Sequence, residues 1–200
     1  MSSLFIEHDD ATGPLQLQLV LLRRMEDFNP GLVDDALHRL DVPRPVMREA
    51  NRRWQGRLRA GGRRRPAGIK DYGSLLGPAE SVAPRAIGDL QCEVHTWPVP
   101  LWADLRFEVT AIPGGPALSA WLVRAPGAAG PGLRTLDDLA PWAATVDEVA
   151  RAFPPAKPME GTADNRFRLA FAVPDKSGQR QSCVAEFAWG LLQRWDTGES

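Results

Sequence analysis

The chain has little with which to do covalent chemistry. Its 200 residues include two cysteines, three histidines and one tyrosine. Cys92 and Cys183 are too few for a disulfide framework. Each lies in or beside an apolar segment, where a free cysteine acts as a small buried hydrophobe. Cys92-x-x-His95 has the spacing of half a zinc site. Along a strand, however, positions 92 and 95 point to opposite faces, and no second pair of ligands accompanies them. His38 reads as a surface residue of a helix. No G-x-S-x-G elbow, Walker A loop or dinucleotide fingerprint is present. The acidic pairs Asp9-Asp10, Asp34-Asp35 and Asp137-Asp138 fall at loop ends and first helical turns, where carboxylates favour the helix dipole. The expectation is a non-enzymatic protein with no catalytic residue, metal site or cofactor. Nor does any run approach the roughly 20 apolar residues of a membrane span. Glu7, Asp9 and Asp10 precede the apolar run Leu19–Leu22, unlike the start of a signal peptide. The expected compartment is therefore the cytoplasm.

What is present is ordinary in amount and unusual in distribution. With 44% hydrophobic and 24% charged residues, the chain has the balance of a globular domain, and its length suffices for a sizeable core. The net charge of −1 gives no global preference for nucleic acid. Arg44 to Arg65, however, holds nine arginines and one acid, Glu49, so this window carries +8 and the remainder −9. One basic segment stands in an acidic body.

Periodicity places the elements. Leu4–Ile6 and the alternating Leu15, Leu17, Leu19 and Leu21 predict a first hairpin near 4–23. Asn29-Pro30 marks a helix start, with Asn as N-cap acceptor and Pro at N1, and the helix runs over 30–40 until Pro43 and Pro45. A second helix over 45–60 turns Val46, Ala50, Trp54 and Leu58 inward. Residues 61–89 read as an irregular connection, with Tyr72 to Leu76 as its anchor. Leu90–Trp97 predicts a strand. Leu105–Ala111 and Leu118–Leu122 flank a Pro-Gly-Gly-Pro turn, as a hairpin does. Thr145-x-x-Glu148 is a capping box opening a helix over 146–153. Phe167–Val173 alternates as a strand. Val184, Phe187, Ala188, Leu191, Leu192 and Trp195 have helical spacing, predicting a helix over 182–195. The result is an α+β fold: a mostly antiparallel sheet built from hairpins near 4–23, 90–123 and 166–173, covered by about four helices. Along the chain the divisions are 1–60, a 61–89 connection and 90–200, with the last part and the first packed as one compact domain.

The arginine segment is the main chemical feature. Arg48 and Arg52 share one helix face, Arg53 and Arg57 form the next row, and Arg63, Arg64 and Arg65 continue beyond. Such a surface suits an acidic protein or a phosphate backbone; the alternative is a solvated face balanced by the protein's own acids. Trp97 and Trp102 flank the prolines of Pro98-Val-Pro100. There they are candidates for partner contact, since Trp is enriched at binding hot spots, with core anchoring as the alternative.

Residues 17–59 carry a resemblance. An alternating segment leads into Met25-Glu-Asp-Phe-Asn-Pro-Gly-Leu-Val33, followed by a helix and Met47-Arg-Glu-Ala50. This resembles the contractile-sheath small subunit of type VI secretion systems, in which a strand leads into "hydrophobic-x-Asp-Phe-x-Pro-x-x-Val". Met25, Asp27, Phe28, Pro30, Val33, Arg48, Glu49 and Ala50 occupy the matching positions. The resemblance implies an assembly role, with pairing to a larger sheath subunit by strand exchange. The functional expectation is a protein that binds other protein chains, as a component of a contractile injection machine; the alternative is nucleic-acid binding through 44–65.

Overall fold

The computed structural model describes residues 13–59, 67–163 and 165–198. Its architecture is α+β, with two four-stranded antiparallel sheets. The predicted strand at Leu4–Ile6 and Arg63, Arg64 and Arg65 lie outside the described residues.

The first element corrects the sequence reading. Residues 14–25 form a helix, α1 (Pro14–Met25), and not the second strand of a hairpin. Every residue from Gln16 to Leu22 is buried, and a helix enclosed on all sides carries apolar residues all round. The Leu/Gln alternation therefore does not separate a wet face from a dry one. The Gln18 amide donates to the Pro14 carbonyl at 3.1 Å, and its oxygen accepts from the Leu101 amide at 2.6 Å. Leucine and glutamine are good helix formers, which favours the helix once its polar groups are satisfied.

α2 (Pro30–Leu40) and α3 (Arg44–Arg59) fall where predicted. Asn29 precedes α2, but its side chain makes no cap. It reaches instead to the C-terminal sheet. On α3, Met47, Ala50 and Trp54 are buried, with Val46 and Leu58 packed against the same core. The 61–89 segment is not irregular throughout. Tyr72, Leu75 and Leu76, at i, i+3 and i+4, are buried on α4 (Ile69–Leu76), and β1 (Ser81–Ile87) follows. All seven β1 residues are exposed, so it offers no alternation to read. It is a strand because it pairs with β2 (Leu90–Pro98), and an edge position tolerates its Pro84.

β3 (Leu105–Ala111) and β4 (Ala117–Arg124) complete the first sheet in the order β1-β2-β3-β4. Leu105, Phe107 and Val109 face the helices and share a core with Leu19, Met25 and Trp54. α5 (Val146–Ala152) opens with the expected capping box: the Glu148 amide donates to the Thr145 hydroxyl, and the Thr145 amide donates to the Glu148 carboxylate at 2.8 Å.

The second sheet contains β5 (Lys157–Ala163), β6 (Arg166–Pro174), β7 (Arg180–Ala188) and β8 (Leu191–Thr197) in sequence order. Here the predicted helix over 182–195 is overturned. Ala188 pairs with Leu191 across the two-residue turn Trp189-Gly190, whose φ angles are 52° and 77°. Positive φ at both central residues is what a type I′ hairpin needs. Cys183, Ala185 and Phe187 are buried in alternation, a period of two concealed beneath the helical spacing. Gly190 is needed for a second reason: a Cβ there would lie 3.0 Å from that of Trp121. The close approach joins the sheets, with the Leu122 amide donating to the Trp189 carbonyl at 2.6 Å. A second core, including Leu139, Val149, Phe153, Leu169 and Phe171, fills the space under α5.

Candidate partner-binding site

Burial of Met47, Ala50 and Trp54 turns the opposite side of α3 to solvent. Arg48 and Arg52 are 60% and 74% exposed there, and Arg57 is exposed as well. Arg53 is half-buried and pairs with Glu49 at 3.3 Å; Glu49 also binds Arg52. The other two predicted contact residues are corrected. Trp97 and Trp102 belong to the core. Trp97 lies within β2 and donates its indole N–H to the Gly77 carbonyl at 3.1 Å. Trp102, in a 3-10 turn over Pro100–Trp102, packs edge-on against Trp142 with ring centroids 5.3 Å apart. Prolines 98 and 100 end a strand; they do not expose its aromatic neighbours.

The arginines of α3 continue into a band that the sequence does not reveal. Arg48 stands 4.0 Å from Glu26, at the end of α1. Glu26 also pairs with Arg44 and lies 3.4 Å from Arg23. Arg23 is 2.9 Å from Asp27, and Asp27 binds Arg166 on β6. Cations and carboxylates thus alternate from α3 across α1 to the second sheet. Half-buried Arg24 has its pKa lowered, first by burial and then by the like charge of Arg166.

The Asp-Phe-Asn motif forms the corner of this band. The Phe28 ring lies beneath two guanidinium groups, with Arg166 at 4.9 Å and Arg194 at 5.5 Å from its centroid. Both are within the reach of a cation–π contact. The Asn29 amide donates to the Gln193 carbonyl at 2.9 Å. Beyond Phe28, the register sets Arg168, Glu186 and Arg194 in one row across β6, β7 and β8. Arg194 donates its Nε–H to Glu186 at 2.9 Å, while the Nε of Arg168 stays 3.9 Å from that carboxylate. A pocket of about 170 Å³ opens here, lined in part by Phe28, Arg166, Phe167, Arg168, Glu186 and Arg194.

Sequence reasoning missed Arg166, Arg168 and Arg194. Arg166 and Arg168 alternate with Phe167 and Leu169, which marks them as the open face of a strand. Arg194 was concealed by the helical reading of 182–195. The remaining reactive groups do not converge. Cys92 and Cys183 are buried free thiols, and burial, followed by Asp196, pushes Cys183 up to about 11. His95 stacks on Trp97 with ring centroids 6.2 Å apart. Among the described residues, no group of three or more His, Cys, Asp or Glu is placed to hold a metal ion. None of the described helices is long and apolar enough to cross a membrane.

No protein-family model and no curated protein matches the chain. Among solved structures, a candidate beta-lactamase inhibitor protein from Streptococcus mutans matches at 10% identity with a TM-score of 0.28, covering 66% of this chain and 82% of that one. So loose a likeness assigns neither fold nor function.

Proposed function

We propose that this chain is a non-enzymatic cytoplasmic protein that binds another protein chain through the arginine band from α3 to β8. The observation that carries this reading is the continuity of the band. Arg52, Arg48, Arg23, Arg166 and Arg194 follow one another over three layers of the fold, with Glu49, Glu26, Asp27 and Glu186 set among them. Guanidinium groups bind carboxylates in a bidentate fork, and an excess of one sign speeds encounter with a complementary surface. The interleaved carboxylates favour protein over nucleic acid. A phosphate backbone would meet four like charges in the band, whereas a protein can present both signs in matching order.

The assembly role implied by the sheath resemblance falls within this class of function. Its carrying residues are engaged differently here: α1 stands where that family has a strand, and Asp27, Phe28 and Asn29 hold the chain's own second sheet.

The test titrates the full chain with a fluorescent glutamate–alanine peptide and with duplex DNA at two salt concentrations. The peptide should bind, and Arg52→Glu with Arg57→Glu should abolish that binding. Tight DNA binding with a steep salt dependence, and none to the peptide, would assign the band to nucleic acid.

A further inference from the structure

We infer that the pocket where Phe28 meets β6, β7 and β8 seats one acidic side chain, a glutamate or aspartate, projected by the partner protein. This rests on the partner-binding reading above and gives it a point of specific contact.

Three features of the pocket lead to a carboxylate. The first is unmet hydrogen-bonding capacity. Five buried side-chain polar atoms lack a partner among the described residues, and two of them are donors of the pocket wall, Arg166 Nε and Arg168 Nε. Buried polar groups are ordinarily satisfied, so donors left over in one place are positions that a water, an ion or an acceptor from a ligand can fill. The second is geometry. Glu186 engages Arg194 through Nε, leaving the terminal nitrogens of Arg194 and Arg168 without a described acceptor. Those side chains are 57% and 38% exposed, so an oxygen pair can approach from the mouth. The Arg194 guanidinium carbon lies over the Phe28 ring at 5.5 Å from its centroid, and a guanidinium can fork a carboxylate through its N–H edge. The third is size. About 170 Å³ falls below the roughly 300 Å³ at which small-molecule pockets begin, and it suits a single side chain.

The charge balance agrees. Arg166, Arg168 and Arg194 meet only Asp27 and Glu186 in the pocket wall, so one further carboxylate neutralises it. Glu186 acts as an internal competitor, holding one arginine and lying near a second.

The experiment follows the arginine Nε–Hε signals of the full ¹⁵N-labelled chain by NMR during titration with N-acetyl-glutamic acid α-amide. The glutamine analogue and inorganic phosphate serve as the other two arms. The Arg168 and Arg194 signals should move with the glutamate probe and stay in place with the glutamine analogue. Arg168→Gln should lose the response. Glu186→Gln, which keeps the side-chain shape and removes the competitor, should bind the probe severalfold more tightly. A purely structural Glu186 would leave affinity unchanged or lower it, and either result overturns the inference even if Arg168→Gln fails to fold. Movement with phosphate and not glutamate overturns it too, as does movement confined to α3. The broader reading fails separately, if Arg52→Glu with Arg57→Glu retains the acidic peptide.

Discussion

The two sheets share one topology and differ in what covers them. Each is a four-stranded meander. The first lies beneath α1, α3 and α4, and the Trp54 ring reaches Phe107 through Tyr72. The second has the seven-residue α5 on one face. Its other face carries the row Arg168–Glu186–Arg194, with the Phe28 corner folded against it. Apolar cover and charged cover do different work. The first removes area from water without regard to direction and dominates stability. The second contributes little to stability and leaves oriented donors at the surface. The proposed recognition band accordingly runs over charged cover, from the outer side of α3 to the open face of the second sheet.

The largest expected effect tests the apolar side of this comparison. Trp54→Ala removes a fully buried ring and should cost about 3–5 kcal/mol in chemical denaturation. A loss near zero would mean that α3 does not seal the first sheet. The tie between the halves comes next. Arg124 on β4 donates to both oxygens of Glu148 on α5, at 2.8 and 3.0 Å. Glu148→Gln should cost about 2 kcal/mol, as for a hydrogen bond to a charged group. Burial disfavours the charged Glu148, but bonds from Arg124 and Thr145 outweigh it, holding the pKa below the ordinary carboxylate value. The sign follows: this contribution is present above the unfolded-state pKa and fades as pH falls through the folded one. Melting curves from neutral to acidic pH should show the wild type losing its advantage over Glu148→Gln. A constant gap would contradict the assignment.

The corner is expected to contribute less. Asn29→Ala removes its bond to the Gln193 carbonyl, at about 1 kcal/mol. Gln193 itself keeps the Trp142 indole as a partner at 3.1 Å. Amide exchange should quicken in β8 ahead of the first sheet; an even response throughout would deny the corner a local role.

Where one face was wet and the other dry, the sequence was readable. The β3–β4 hairpin, β6, α3 and the Thr145 capping box all lie where their spacing puts them. Reading failed where burial removed the contrast. α1 is enclosed, so its glutamines mimicked the polar side of a strand. β1 is exposed on both faces and has no pattern. In β7–β8 the turn is Trp189-Gly190, and a tryptophan with positive φ is rare, so residue type does not mark the turn beneath the helical spacing. The site divided in the same way. The exposure of Arg48, Arg52 and Arg57 follows from the apolar spacing of their helix, whereas Arg53, on the same helix, is half-buried. Arg166, Arg168 and Arg194 join them only through the β6–β7–β8 register and the Phe28 corner, which sequence spacing does not encode.

The most direct measurement combines melting and partner retention on one variant, Arg52→Glu with Arg57→Glu. Both side chains are exposed, and exposed reversals change stability by about 0.5 kcal/mol or less, whereas breaking charge pairs desolvated in an interface costs about 2–5 kcal/mol of binding. The account predicts an unchanged melting temperature and loss of the chains that the wild type retains from its native lysate, as quantified by mass spectrometry. A lower melting temperature with every interaction kept would contradict it, because the arginines would then serve only to balance the protein's own acidic body.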